Sequence, residues 1–193
     1  MHGTSGDEAV SSARRTAQRG NTLLEGAMIF LPMFAVFFGI IDVSMAIFLQ
    51  STFTHATREG ARFAITFTNN YGGTSCTTSQ ATCIAQVVQD NAAGFLGGTK
   101  SNLITVNYYT SQDLSNPVMS CNSGTCTLRQ ALPTGISYAN QPGNVVEVTV
   151  NNYPWNWLFP IKGYSAGTGI NLNAASADVL GGLAVGTTVP PNP

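Results

Sequence analysis

Gly20 and Glu25, five positions apart, imply chemistry more directly than any other pair in this chain. Arg14, Arg15 and Arg19 precede them, and an almost uncharged apolar run follows. A carboxylate at the edge of a membrane segment is costly unless it has a partner. Cutting the bond between Gly20 and Asn21 would create an amine and put Glu25 at the fifth position of the new chain. The chemistry implied is charge pairing that proteolysis creates, and it points to assembly rather than to catalysis.

The other reactive side chains make no such arrangement. His55 is the only histidine beyond the leader, and no serine or cysteine stands as its partner in the sequence. Asp42-Val43-Ser44-Met45-Ala46 begins like a metal-dependent adhesion motif but lacks its second serine and lies in an apolar run. No phosphate loop, dinucleotide fingerprint or metal-ligand cluster is present. The sequence therefore predicts no catalytic residue, no metal and no cofactor, and the chain is not expected to be an enzyme.

The four cysteines fall into two local pairs, Cys76 with Cys83 and Cys121 with Cys126, in loops rich in Gly, Ser, Thr and Asn. An even count suggests disulfides in an oxidising compartment. Four cysteines allow three pairings. The two local ones are favoured because short loops close at least entropic cost. Zinc is the rival, but neither pair has C-x-x-C spacing and only His55 could join them.

Charged residues are 9% of the chain against 44% hydrophobic. That is far below the roughly 25% charge of soluble domains. A net charge of −1 leaves no basic footprint for nucleic acid. Ala27 to Leu49 is 23 residues with one charge, Asp42. At about 1.5 Å per residue it reaches roughly 34 Å, enough for a hydrocarbon core of about 30 Å. A cleaved secretory signal would have a shorter apolar part and a small-residue site after it. A retained membrane helix is therefore expected, with its N-terminus cytoplasmic because the three arginines precede it. Pro32 and Gly39 interrupt the helical pattern; proline removes one intrahelical donor and can kink a helix, which neighbours in a membrane can tolerate. Asp42 has two readings, reaching headgroups or water near the outer interface, or pairing inside an assembly.

Beyond Gln50 the helix should continue as an amphipathic stalk, with Phe53, Ala56, Gly60, Phe63/Ala64 and Phe67 along one stripe. The collar Arg58, Glu59, Gly60 and Arg62 follows, its two arginines expected to pair with Glu59. Gly60 is a poor helix former, which suggests a close approach of another backbone in this chain or a partner. A second helix is expected over Thr82 to Leu96, stopped by Gly97-Gly98. Leu103 to Thr110, Val145 to Asn151 and Ile170 to Leu180 read as strands. Ser111 to Gly143 reads mainly as loop, and the tail from Gly181 as disordered. The run Tyr153 to Pro160 is expected to link the last two strands. It would either cover the sheet or offer Trp155 and Trp157 as a partner contact.

The expected class is α+β: a long N-terminal transmembrane and stalk helix followed by a small exported head with a few-stranded antiparallel sheet. The divisions are 1–20 as a cytoplasmic leader, 21–67 as membrane and stalk helix, 68–180 as periplasmic head and 181–193 as flexible tail.

Three stretches carry a family resemblance: Leu24-Glu25-Gly26-Ala27 through Leu31-Pro32, then Gly39-Ile40-Ile41-Asp42, then Ala56 to Ala64 with its A-x-R-E-G-A-R collar. Together they resemble the TadE-like family, pilin-like proteins of the bacterial tight-adherence (Tad or Flp) pilus system. The match covers about a quarter of the chain. Past Ala64 only the outline is similar, in Val146-Glu147-Val148-Thr149-Val150, Tyr153-Pro154 and Ala174 to Ala177. The resemblance implies cleavage by a prepilin peptidase between Gly20 and Asn21. It also implies partners among other pilins and pseudopilins, an inner-membrane assembly platform and membrane lipid. It implies a minor pilin, pseudopilin or assembly factor in the inner membrane, single-pass, with a periplasmic head. A membrane-anchored periplasmic binding module using Trp155 and Trp157 is the alternative.

Overall fold

The computed structural model describes residues 5–68, 70–76, 79–122, 124–134, 138–157 and 169–181, with side chains from Leu24 onward other than Thr74 and Ser75. Helix α1 spans Ser5–Ile65, and Pro32 lies inside it without ending it. Proline removes one intrahelical donor, and 61 residues of otherwise continuous helix absorb that loss. The chain divides into two compact units, residues 1–45 with 157–164 and residues 46–156 with 165–193.

The first unit contains the apolar part of α1. Its side chains stand out from the helix, with Met28 at 77% and Leu31 at 74% exposure. Phe30, Phe34 and Phe38 stack along one side at the helical i, i+4 spacing, with ring centroids 6.2 and 6.3 Å apart. Leu24–Ile65 contains a stretch long and apolar enough to cross a membrane.

The second unit is α+β. After α1 come a short ribbon of β1 (Asn70–Tyr71) and β2 (Thr74–Ser75), then helix α2 (Gln80–Asn91). A 3-10 turn over Gly98–Leu103 leads into β3 (Ile104–Tyr109), followed by β4 (Met119–Asn122), β5 (Thr125–Leu128), β6 (Val145–Trp155) and β7 (Ile170–Val179). The last five form one antiparallel sheet in the order β5-β4-β3-β6-β7. Alternation sets its two faces. Ile104, Val106 and Tyr108 are buried with Val146, Val148 and Val150, while Thr105, Asn107 and Glu147 face the other way.

The core forms where α1 and α2 lie on the apolar face of the sheet. Leu49, Phe53, Ala56, Gly60 and Ala64 are the buried stripe of α1, and Phe67 in the turn after it is buried too. Phe53 meets Tyr153 of β6 edge to face at 4.8 Å. The far end of α1 is held by a buried amide: Gln80 Nε2 donates to Ala64 O at 3.0 Å. Asn140 Nδ2 in turn donates to Gln80 Oε1 at 3.3 Å. The Ala64 carbonyl, which also accepts from Phe67 N at 3.3 Å, gains a second donor in this way. Phe67 then takes a left-handed conformation at φ 52 and still buries its ring. That conformation costs about 1–2 kcal/mol for an L-residue, which burial of the ring, about 1.5–3 kcal/mol, offsets.

Several elements differ from the sequence-based expectation. The second helix covers Gln80–Asn91 rather than Thr82 to Leu96. Ser79 caps it, accepting from Thr82 N at 3.3 Å. Left-handed Ala93 and Gly94 end it, ahead of Gly97-Gly98. The expected loop from Ser111 to Gly143 contains the β4–β5 hairpin. The expected link from Tyr153 is, as far as Trp155, still β6 paired with β7. A bulge between Val150 and Tyr153 makes this possible. Asn152 is left-handed there at φ 55, and its N–H donates to Asn173 Oδ1 at 2.7 Å. The extra residue shifts the alternation, so Tyr153 faces the core after Val150 rather than away from it. The rest of that run beyond Trp157, and the tail past Gly181, lie outside the described residues.

Gly60 is approached by side chains rather than by backbone. A Cβ there would lie 2.5 Å from Val88 Cγ2 and 3.4 Å from Val148 Cγ1. Overpacking costs about 1–3 kcal/mol, and helix propensity returns about 1 kcal/mol. Gly60→Ala is expected to destabilise the head by about 1 kcal/mol net. In a Val88→Ala background the same substitution should become neutral or stabilising. Urea unfolding of the four proteins of this cycle measures it, and an effect of Gly60→Ala that ignores residue 88 would refute the packing account.

Candidate functional site

The Gly20–Asn21 bond lies in the helical backbone of α1. Glycine weakens a helix by about 1 kcal/mol relative to alanine, so this bond sits at a local weak point. Five residues on, Glu25 is exposed. It makes no hydrogen bond or ion pair among the described residues. A carboxylate placed so on an apolar helix is available to a partner outside the chain.

Asp42 is different. The structure buries it, at 3% exposure, while its neighbours Ile41 and Val43 stay open. It also has an interaction within the chain. Reach to headgroups and pairing in an assembly were the two expected readings, and the single chain adds to them that Asp42 is covered by its own surroundings. Sequence reasoning placed Asp42 by depth along the helix and had no means of seeing what covers it.

The collar divides by helix face. Gly60 points into the head core, Glu59 is half-buried, and Arg58 and Arg62 are exposed. The expected pairing of the arginines with Glu59 is not formed: among the described residues none of the three makes an ion pair. On one side of α1, Ile47, Gln50, Ser51, Thr54, His55 and Arg58 line an open groove of about 490 Å³. Gln50 fixes one wall, donating through Nε2 to Asn173 O of β7 at 2.6 Å. Thr54 is occupied by its own helix, donating to Gln50 O at 2.8 Å. Ser51, His55 and Arg58 have no partner among the described residues. No motif in the sequence marks Ser51, and His55 stands there without a catalytic partner. The signal available was the i, i+4, i+7, i+11 spacing of Ser51, His55, Arg58 and Arg62.

The cysteine pairs come together as expected. Cys76 and Cys83 are bonded with Cα atoms 5.7 Å apart, joining the segment before α2 to its first turn. Cys121 and Cys126 are bonded and stand directly opposite in the β4–β5 register. Gly124, at φ 81, occupies the connection between those strands, where a tight hairpin needs a positive φ. No group of three or more potential metal ligands occurs among the described residues.

The outer face of the sheet carries a polar cluster. Tyr109 OH donates to Glu147 Oε2 at 2.7 Å, and Asn107 Nδ2 donates to the same oxygen at 3.1 Å. Ser120 Oγ donates to Asn107 Oδ1 at 2.8 Å. Burial, then the bond to Glu147 and its negative charge, push the Tyr109 hydroxyl up to about 12. Burial also raises Tyr108, the inward neighbour. Both folded values lie above the ordinary 10, so this stabilisation is full below pH 10 and is lost as pH rises toward 12. Urea midpoints should hold up to pH 10 and fall above it, with a shallower fall in Tyr109→Phe. An unchanged slope in that variant would remove Tyr109 from the account.

Trp155 packs against the core, and its indole N–H is buried with no hydrogen-bond partner among the described residues. Trp157 is 37% exposed.

Residues 20–62 match the family model described as TadE-like protein. The matched segment includes Gly20, Glu25, Asp42 and the whole collar, and it stops before the head sheet. No curated protein matches the chain. No solved structure matches it either.

Proposed function

We propose, from a chain whose first third carries the TadE-like pattern, that this protein is a minor pilin or assembly factor of a tight-adherence pilus. It acts without catalysis, through packing of its apolar helix with other pilins and with an inner-membrane assembly platform. The observation that carries this reading is the exposed Glu25, spaced five residues beyond Gly20 at the start of an apolar helix. A prepilin peptidase would cut after Gly20. The N-terminal side, with Arg14, Arg15 and Arg19, would face the cytoplasm. Two cystine-linked pairs support a periplasmic head, since disulfides persist in oxidising compartments.

N-terminal sequencing of the membrane form tests the reading. In cells with the peptidase the mature chain should begin at Asn21, and Gly20→Ala should slow processing. A chain that keeps its N-terminus in such cells, and stays out of sheared pilus fractions, would leave the reading without support.

A further inference from the structure

We propose that the groove beside Ser51, His55 and Arg58 is a binding site for an anionic membrane phospholipid on the head side of the bilayer. The proposal rests on the membrane-anchored part of the functional reading.

The groove changes character along one helix face. Ile47 is 64% exposed at its lower end, and Phe48 is exposed beside it. Ser51, His55 and Arg58 follow at i+4, i+8 and i+11 from Ile47, and Arg62 continues the line. An apolar end and a donor-rich basic end, in one open volume of about 490 Å³, match a lipid's acyl chain and phosphate. The donors are free to serve, because Ser51, His55 and Arg58 have no partner among the described residues. Gln50 and Thr54 are held by other bonds and act as wall. Among the described residues neither Arg58 nor Arg62 makes an ion pair, and both are exposed, so each guanidinium is open to an outside partner.

The heights agree. With Phe48 as the last exposed apolar residue, Ser51 rises about 4.5 Å above it, His55 about 10.5 Å and Arg58 about 15 Å. Helix side chains lean back toward the N-terminus over the preceding turn, which brings the Arg58 guanidinium to the level of His55 or below. The headgroup layer adds roughly 5–7 Å beyond the hydrocarbon on each side. A phosphate in that layer falls between Ser51 and the lowered ends of His55 and Arg58. Guanidinium is well suited to it, offering two parallel donors to phosphate oxygens. A net negative headgroup is favoured over a zwitterionic one, whose ammonium would meet the same cations.

The test uses the full chain in nanodiscs of phosphatidylcholine mixed with an equal amount of phosphatidylglycerol. Native mass spectrometry counts the lipids released with the protein. The natural chain should retain phosphatidylglycerol preferentially. Arg58→Gln should cut that preference about fivefold, Arg58→Gln with His55→Gln should abolish it, and Arg58→Lys should keep most of it. Both glutamine changes are at exposed positions, and circular dichroism with intact disulfides checks the fold. Equal retention of the two lipids, or a preference unmoved by Arg58→Gln, overturns the site. Loss of the preference in millimolar inorganic phosphate would make it a free-anion site, and the lipid proposal would fall. If Arg58→Gln instead separates copies of the chain in lipid-free detergent, the occupant is a protein carboxylate and the proposal is wrong. A chain that does not enter nanodiscs at all defeats the membrane reading itself, a result distinct from insertion without lipid preference.

Discussion

Phe53→Ala is expected to lower the stability of the head by about 3–5 kcal/mol, the usual loss for a fully buried phenylalanine. Phe53 is completely buried and meets the Tyr153 ring. It links α1 to β6 through that ring contact, so truncation opens a cavity with the sheet on one side. Whole domains are stable by only about 5–15 kcal/mol, and the variant head should be largely or wholly unfolded at moderate urea. Urea unfolding of the full chain in detergent, followed by the fluorescence of Trp155 and Trp157, measures the loss. Phe37→Ala is the internal control. Phe37 is exposed on the apolar stretch, and its removal should leave the head transition in place. A loss below about 1 kcal/mol for Phe53→Ala would show that α1 is not an integral part of the head core.

Glu25→Ala is expected to leave membrane insertion intact and to reduce incorporation into pilus fractions by about 100-fold or more. The estimate comes from the roughly 3–5 kcal/mol lost when one member of a buried ion pair is removed. In the single chain Glu25 is exposed, so its loss disturbs no internal contact. In a bundle of helices it would face the Asn21 amine of a neighbouring processed subunit, and truncation would strand that amine in a medium of low dielectric. Glu25→Asp keeps the charge on a shorter arm and should fall between the two. Quantifying the protein in sheared pili and in membranes separates assembly from insertion. Normal pilus yield with normal co-fractionation in Glu25→Ala cells would end the pilin-like role of this carboxylate.

Local pattern in the sequence was enough for much of this molecule. The buried stripe from Phe53 to Ala64 repeats at helical spacing, and Val146, Val148 and Val150 repeat at strand spacing. Such periods follow from backbone geometry and can be read within a dozen residues. The local cysteine pairs were readable because loop entropy favours near partners. The Gly20 to Glu25 spacing and the length of the apolar run, with its single charge at Asp42, are likewise one-dimensional facts. The β4–β5 hairpin escaped because four-residue strands are too short to show a period, and what aligns them is the Cys121–Cys126 register. The strand past Val150 escaped because the bulge at Asn152 depends on Asn173, in the neighbouring strand. Gly60 was visible as an anomaly, but only the approach of Val88 and Val148 shows what it accommodates. The burial of Asp42 and the groove under Arg58 belong to the same class. The Gln50 to Asn173 bond that walls the groove spans 123 positions. Contacts at such separation leave no periodic trace along the chain, because what selects them is the packing of α1 and β7 rather than the spacing of neighbours. Sequence alone thus determined the membrane-helix pattern, the strand alternation and the candidate cleavage chemistry. Tertiary structure decided which of the remaining polar groups are covered and which are left free to meet a partner.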